Sequence, residues 1–287
     1  MKLANNWQDY EIIDASNGEK YERWGKYYLL RPDPEVIWDN GNLKDKYKGK
    51  IDAIYHRNNE GGGYWENIKK MPDRWQIKYN NLTFNLKQMG FKHTGLFPEQ
   101  AINWDYLQNI IKKANREIKV LNLFAYTGGA TLACLSAGAI VTHVDSSKGM
   151  VSWCKENVND SKFDDSKIRY LIDDCTKFVE REIRRGNKYD VIIMDPPSYG
   201  RGINKEIWHF EDDIFDLIKL CSKLLSDNPL LMMVNSYSSG ISGQIMANML
   251  NLSLPKGNVF YEELGLPIKE NNLVLPCGNV AIWESKK

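Results

Sequence analysis

The sequence predicts an α/β protein: a mostly parallel sheet preceded by a β-rich lobe. Three observations carry this. From about residue 100, short apolar runs alternate with segments of helical spacing, the rhythm of βαβ units. Each of those runs stops at a polar or small-residue turn. Before that point the runs are aromatic and strand-like, and Asn, Gly and Pro punctuate them. The expected division is residues 1–90 for the lobe and 91–287 for the larger domain.

In the lobe, Tyr10 to Ala15 has strand character and Ser16-Asn17-Gly18-Glu19 is a turn signal. Lys20 to Trp24 and Lys26 to Leu30 continue the strands. Arg31-Pro32-Asp33-Pro34 breaks the pattern, because proline fixes φ and donates no ladder hydrogen bond. The interval from Asn40 to Gly63 is charged and glycine-rich, and Asn58 to Gly63 reads as a loop placed to close over a substrate. Trp75 to Tyr79 and Leu82 to Leu86 flank Asn80-Asn81 as a hairpin.

The second part opens with a helix, Trp104 to Glu117, in which Trp104, Leu107, Ile110 and Ile111 recur at helical spacing. Strands are expected at Val120–Phe124, Ile140–Val144, Ile168–Ile172, Tyr189–Met194 and Leu230–Val234. The helices between and after them are expected at Ala130–Ala137, from Ser146 or Ser147 towards Asn157, at Thr176–Arg185, Asp212–Leu225 and Gln244–Leu252. Val259–Leu264 and Val280–Trp283 read as a closing antiparallel pair.

Composition narrows the function. The 287 residues are 43% hydrophobic, ordinary for a globular chain. No apolar run approaches the ~18–20 residues of a membrane span, and the polar N-terminus has no signal-peptide core, so a cytoplasmic protein without membrane contact is expected. The five cysteines, Cys134, Cys154, Cys175, Cys221 and Cys277, are scattered and form no C-x-x-C pair, which argues against a metal centre or a disulfide framework. A formal net charge of +1 supplies no global field towards nucleic acid, so any such contact is local. Oligomeric state is not readable.

The chemistry collects after the strands. In an open parallel sheet, ligands bind outside the strand carboxyl ends. Tyr126-Thr127-Gly128-Gly129 follows the first strand, Asp145 ends the second, Asp174 lies just past the third and Asp195-Pro196-Pro197 ends the fourth. One aspartate after a strand often only caps the next helix; a single crevice accounts for all four positions at once. Glycines there let a ligand approach the backbone, and the first N–H groups of the next helix favour its negative end. Asp145 can accept both hydroxyls of a ribose, as in nicotinamide and S-adenosylmethionine enzymes alike. The glycine loop lacks a full G-x-G-x-x-G, which disfavours a pyrophosphate. Asp174 can accept from an adenine amine, with the Cys175 N–H beside it to hold the same adenine. In Asp195-Pro196-Pro197-Ser198-Tyr199, the stiff turn lets Asp195 and a proline carbonyl accept hydrogens from an exocyclic amine and so aim its lone pair. Tyr199 can stack on the ring that bears it, and Arg201, or less strongly Lys205, can meet a substrate phosphate.

At these residues the chain resembles the class I S-adenosylmethionine-dependent methyltransferases, and within them the family of the large-subunit ribosomal RNA cytosine-5 methyltransferases and their relatives. The resemblance spans about residues 70 to 240. It lies in Phe91 to Gln100, Leu121 to Gly129, His143 to Lys148, Trp153 to Asn157 and Asp195 to Gly202. It implies a Rossmann-like seven-stranded sheet with a reversed last strand and S-adenosyl-L-methionine as cofactor. Phe124, Tyr126, Thr127, Gly128 and Gly129 would line its methionine part. Asp145, with Ser146 and Ser147, would bind the ribose, and Asp174 and Cys175 the adenine. His93, Thr94 and Gln100 would reach it from outside the sheet, while the β lobe helps hold the substrate.

One departure matters. Cytosine C5 methylation needs a thiolate that adds to C6, and the family places cysteines just after the fourth or fifth strand. Here those loops offer Ser198 and Asn235-Ser236-Tyr237-Ser238, with none of the cysteines. The expected reaction is therefore methylation of an RNA base, ribosomal RNA first, at an amine or ring nitrogen. Asp195, Pro196, Pro197 and Tyr199 are the catalytic candidates, with Asp195 a cofactor contact as well, and Tyr199 and Arg201 are the substrate contacts. The rival readings are a nicotinamide oxidoreductase and an RNA-binding scaffold with a vestigial cofactor pocket.

Overall fold

The computed structural model describes residues 1–58, 62–201, 207–238 and 240–286, with Arg201 described by its backbone. Lys205, the Arg201 side chain and residues 59–61 of the loop from Asn58 to Gly63 lie outside the described residues. The chain divides into two compact units. The first holds Lys2–Ala101 and Gly265–Cys277, and the second Ile102–Leu264 and Gly278–Lys287. This division falls later than residue 90 and returns the tip of the last hairpin to the first unit.

The first unit contains β1 (Lys2–Leu3), β2 (Tyr10–Ser16), β3 (Glu19–Trp24), β4 (Tyr27–Pro32), α1 (Leu43–Lys46), β5 (Ala53–Arg57) and β6 (Gly63–Asn67). Strands β2 to β6 form one sheet in chain order, and β7 (Trp75–Tyr79) and β8 (Leu82–Leu86) form a separate hairpin. Asn17 and Gly18, with φ of 49° and 78°, make the tight turn between β2 and β3. Asn80, at φ 52°, turns the β7–β8 hairpin. The interval from Asn40 to Gly63, read only as charged and glycine-rich, holds α1 and β5, and β6 starts at its end. Its apolar positions are too few to show a period, yet Leu43, Tyr47, Ile51 and Ile54 close a core with Tyr21 and Leu30. Strand β5 pairs parallel to β4, so the proline break after β4 begins a crossover rather than a hairpin.

A buried ionic centre sits in this unit. Arg31 donates to Glu22 through Nε at 2.6 Å and Nη2 at 2.8 Å, and the Tyr10 hydroxyl donates at 2.7 Å. Burial works to raise the Glu22 pKa, but Arg31 and Lys20 outweigh it and hold the carboxyl down at about 2.

The second unit begins near α2 (Ala101–Ala114) and runs through β9 (Lys119–Leu123), α3 (Gly129–Ser136), β10 (Ile140–Asp145), α4 (Lys148–Asp160), β11 (Ile168–Ile172), α5 (Cys175–Arg185) and β12 (Val191–Met194). It continues with β13 (Tyr199–Arg201), β14 (Ile207–His209), α6 (Phe210–Ser222), β15 (Leu231–Ser236), α7 (Gly243–Ser253), β16 (Gly257–Pro267) and β17 (Val274–Ser285). The sheet has eight strands, in the order β1-β16-β17-β15-β12-β9-β10-β11, one more than the seven expected because the two-residue β1 adds to the β16 edge. Strands β15, β12, β9, β10 and β11 are mutually parallel, and β17 runs antiparallel to β15. The expected Rossmann-like sheet with its reversed last strand is therefore present. The central parallel strands β9, β12 and β15 are buried along nearly their whole length, as a sheet covered on both faces requires, while the edge strand β11 is only partly covered. Leu121, Leu123, Ile192, Met194, Met232 and Val234 meet Phe178, Ile214, Leu217 and Leu250 of the helices in one core.

Removing one partner of the buried Glu22–Arg31 pair strands the other charge. Glu22→Ala is expected to destabilise the protein by about 3–5 kcal/mol in urea unfolding. Because the folded pKa of Glu22 is depressed, its contribution is complete above the unfolded value. It should be lost as pH falls from about 4.5 towards 2, and the Glu22→Gln variant should lack that segment of the pH profile.

Candidate active site at the strand rim

Register places the candidate residues on one edge. Leu123 at the end of β9 pairs with Val144 of β10 on one side and Met194 of β12 on the other, and Asp145 pairs with Ile172. The loops after these strands therefore leave the sheet side by side. The chain switches direction of travel about β9, going out to β10 and β11 and returning to β12 and β15. Such a switch point opens a crevice outside the carboxyl ends.

Asp145 joins two of those loops. Its Oδ2 accepts the Tyr126 N–H at 2.8 Å and its Oδ1 the Ser147 N–H at 2.8 Å. A carboxylate has about four acceptor positions, so two remain for a ligand. Burial pushes its pKa up, partly offset by the two N–H groups. Ser147 caps α4 by accepting from Met150 N–H, and Ser146 lies half-buried between the two.

The glycine loop is held by protein on its inner side. Phe124 and Tyr126 take positive φ, 53° and 50°, and Gly128 reaches 91°. A Cβ on Gly128 would collide with the Cys154 thiol, and one on Gly129 would lie 2.7 Å from the Trp104 ring. The glycines thus seat the loop on its own core, a reason different from close approach of a ligand. Asn157 Nδ2 donates to the Thr127 carbonyl at 2.9 Å from below. Beneath lies a polar network in which Asn122 donates to Thr131 at 3.0 Å and His143 Nδ1 contacts the same hydroxyl at 2.9 Å. Burial drops the His143 pKa to about 3, so the ring is neutral there. Gly128 offers no side-chain cap to α3, which leaves first-turn N–H groups available at the rim.

Asp174 does cap a helix. Its Oδ1 accepts the Lys177 N–H at 2.9 Å. The Cys175 Sγ accepts the Phe124 N–H at 3.3 Å, tying the loop after β11 to that after β9. Burial pushes this thiol well up, and it does the same to the other four. None sits in the loops after β12 or β15.

The Asp195-Pro196-Pro197 corner follows β12. Its start is fixed by the Asp195 N–H on the Leu123 carbonyl at 3.4 Å, and by Asn235 Nδ2 on the Met194 carbonyl at 3.4 Å. Asn235 is itself held by Asn103 at 2.8 Å. Trp208, which the sequence reading did not single out, donates from Nε1 to the Pro197 carbonyl at 2.8 Å and packs on Phe124 at 4.9 Å. That carbonyl is therefore taken, whereas among the described residues no donor occupies the Pro196 carbonyl. Tyr199 opens the β13–β14 hairpin, 49% exposed, with His209 edge-on at 5.1 Å. The hairpin was hidden because its strands are three residues each.

His93, Thr94 and Gln100 belong to the first unit. Thr94 is fully buried, and its carbonyl accepts the Lys87 N–H at 3.2 Å. Arg31 Nη1 donates to the Lys92 carbonyl at 2.8 Å, so the ionic centre anchors this segment. Burial, with Arg31, Lys92 and Lys20 adding to it, lowers the His93 pKa to about 4. Gln100 is buried at the end of a short 3-10 turn. Among the described residues no helix is long and apolar enough to cross a membrane, and no group of three or more His, Cys, Asp or Glu is placed to hold a metal.

Residues 46–245 match the model of a family described as S-adenosylmethionine-dependent methyltransferase. The crystal structure of the SAM-dependent methyltransferase from Agrobacterium tumefaciens is similar at 34% identity and a TM-score of 0.92, covering 98% of this chain and 91% of that one. Among curated proteins, ribosomal RNA large subunit methyltransferase K/L of Syntrophotalea carbinolica is 27% identical over 63% of this chain and 25% of its own length. The protein of that name from Legionella pneumophila is 29% identical over 81% of this chain and 32% of its own length. The chain thus spans about a quarter to a third of the curated relatives it matches.

The seating of the loop is testable by substitution. Gly128→Ala meets both a positive φ and the Cys154 thiol, so a loss of about 3 kcal/mol or more is expected in thermal unfolding. Gly138→Ala has the same φ of +91° with open space around it, and should lose only the conformational part, about 1–2 kcal/mol.

Proposed function

The chain belongs to the S-adenosylmethionine-dependent methyltransferases, and on that footing we propose that it methylates a base of RNA, ribosomal RNA first, at an amine or ring nitrogen. The nicotinamide reading falls with the family. The observation that carries the proposal is the Asp195-Pro196-Pro197 corner beside the glycine loop, with no cysteine in the loops after β12 and β15.

The rim fits the cofactor in its donor set. Asp145 retains acceptor positions for two ribose hydroxyls, flanked by Ser146 and Ser147. Tyr126, Thr127, Gly128 and Gly129, with the uncapped start of α3, would receive the amino-acid end, next to Phe124. Asp174 and the Cys175 N–H would hold the adenine, with one Asp174 oxygen already on the helix cap. When bound, S-adenosyl-L-methionine supplies an electrophilic methyl carbon.

The chain's own work is then positioning. Asp195 and the Pro196 carbonyl accept the hydrogens of the target amine and direct its lone pair, and Pro197, locked by Trp208, keeps that carbonyl in place. Tyr199 offers an exposed ring to a base brought out of its stack, with Arg201 as a contact for its phosphate. A carbon nucleophile would need covalent activation by a thiolate. All five thiols are pushed towards the neutral form, and none lies beside Asp195 in sequence. An amine needs no such partner. The names of the curated relatives support ribosomal RNA as the substrate class.

Incubation with labelled S-adenosyl-L-methionine and total RNA, followed by nucleoside analysis, is expected to give a nitrogen-methylated base and no 5-methylcytidine. Asp195→Ala should lower kcat by about a hundredfold or more while RNA binding persists. Transfer that survives this change, or label found in 5-methylcytidine, would overturn the assignment.

A further inference from the structure

The first unit contains a cavity of about 560 Å3 that the chemistry above does not use. Lys26, Lys50, Lys69, Asp52, Tyr28 and Tyr47 stand in its wall. Its volume suits a nucleotide-sized ligand, since such sites run to roughly 300–1,000 Å3.

The charge in this wall is unbalanced. Asp52 is its one carboxylate, and it is already engaged: Lys69 Nζ lies 2.8 Å from Oδ1, and the Tyr28 N–H donates to Oδ2 at 2.7 Å. Lys26 and Lys50 are exposed, and among the described residues neither forms an ion pair. Lys26 Nζ rests 5.3 Å from the Tyr27 ring centroid. Two lysines without an ion pair therefore line one hollow of a chain whose formal net charge is only +1. The aromatic part of the wall is rigid. Tyr21 stacks with Tyr28 at 5.8 Å and 24°, and with Tyr47 at 4.2 Å and 27°. Tyr47 is tied further by its hydroxyl to Asp14 at 3.0 Å.

We propose that this cavity is an anchoring subsite for the RNA backbone. Lys26 and Lys50 take the oxygens of one phosphodiester, and the half-buried Tyr28 lies against the attached nucleoside. Ammonium groups on flexible stems bind phosphate as point charges, and aromatic faces accept any base. The subsite thus adds affinity without reading sequence. It rests on the RNA reading of the function, and its test separates the two.

Binding of a fluorescent single-stranded RNA to the full chain is measured by anisotropy at several salt concentrations, with S-adenosylhomocysteine affinity as the control. The double variant Lys26→Glu, Lys50→Glu is expected to weaken RNA binding by about tenfold or more. The slope of log K against log salt should fall by about 1 to 2, and cofactor affinity should stay unchanged. Lys26→Arg with Lys50→Arg should restore binding, since the charge returns. If the wild type binds RNA and the double Glu variant binds it equally well with the same slope, the subsite is wrong and the RNA reading stands. If the wild type itself binds no RNA, the RNA reading fails first and the subsite with it.

Discussion

The Asp145 carboxylate is the interaction on which the rim depends. It sits at the end of β10 and accepts one backbone N–H from the loop after β9 and another from the turn into α4. Those bonds hold Tyr126 in a left-handed conformation that a bulky residue adopts only at a cost. The Asp145 carbonyl accepts the Asp173 N–H at 3.0 Å, which brings the loop after β11 into the same arrangement. The carboxylate thus ties two loops together and the same residue's carbonyl adds the third, while the side chain keeps acceptor capacity in reserve. Desolvation raises its pKa, so its ionised form depends on those donors and on any hydroxyls a ligand adds.

The second layer of support is neutral and buried. Asn157 fixes the Thr127 carbonyl, Asn235 fixes the Met194 carbonyl, and Cys175 receives the Phe124 N–H. Each of these side chains leaves a strand or helix of the sheet unit and grips the backbone of a loop or of the strand end that feeds one. A site built this way is held by packed elements rather than by the loops themselves, which suits chemistry whose rate depends on alignment. The cysteines are part of this support. Cys154 fills the space beneath Gly128 and Cys175 serves as an acceptor, so both are packing residues with thiols kept protonated by burial.

Much of this was legible in the sequence, because the informative signals are local. Apolar runs ended by Gly128, Asp145, Asp174 and Asp195 gave the parallel strands and their common edge, and strand β11 keeps the expected bounds, Ile168–Ile172. The physical reason for the glycines was not legible, since Cys154 and Trp104 come from distant helices and only folding brings them under the loop. Asp174 shows how two explanations can hold together, because it caps α5 and still stands at the rim. Trp208 escaped notice because its hairpin is too short for a periodic signal and its partners, Phe124 and the Pro197 carbonyl, lie far off or in the backbone. In the first unit, α1 and β5 were hidden by charged residues whose apolar neighbours meet only in three dimensions. The Glu22–Arg31 centre was likewise invisible, since strand pairing of β3 and β4 and not sequence proximity brings the pair together.

We propose that Asp145 organises the rim that would receive the cofactor. Calorimetric titration of S-adenosylhomocysteine into the wild type and Asp145→Asn tests it most directly. Loss of the charged acceptor should weaken binding by about tenfold to a hundredfold, because hydrogen bonds to a charged group are worth about 1.5–3 kcal/mol. Equal affinity in the two proteins, with the variant folded, would contradict the account.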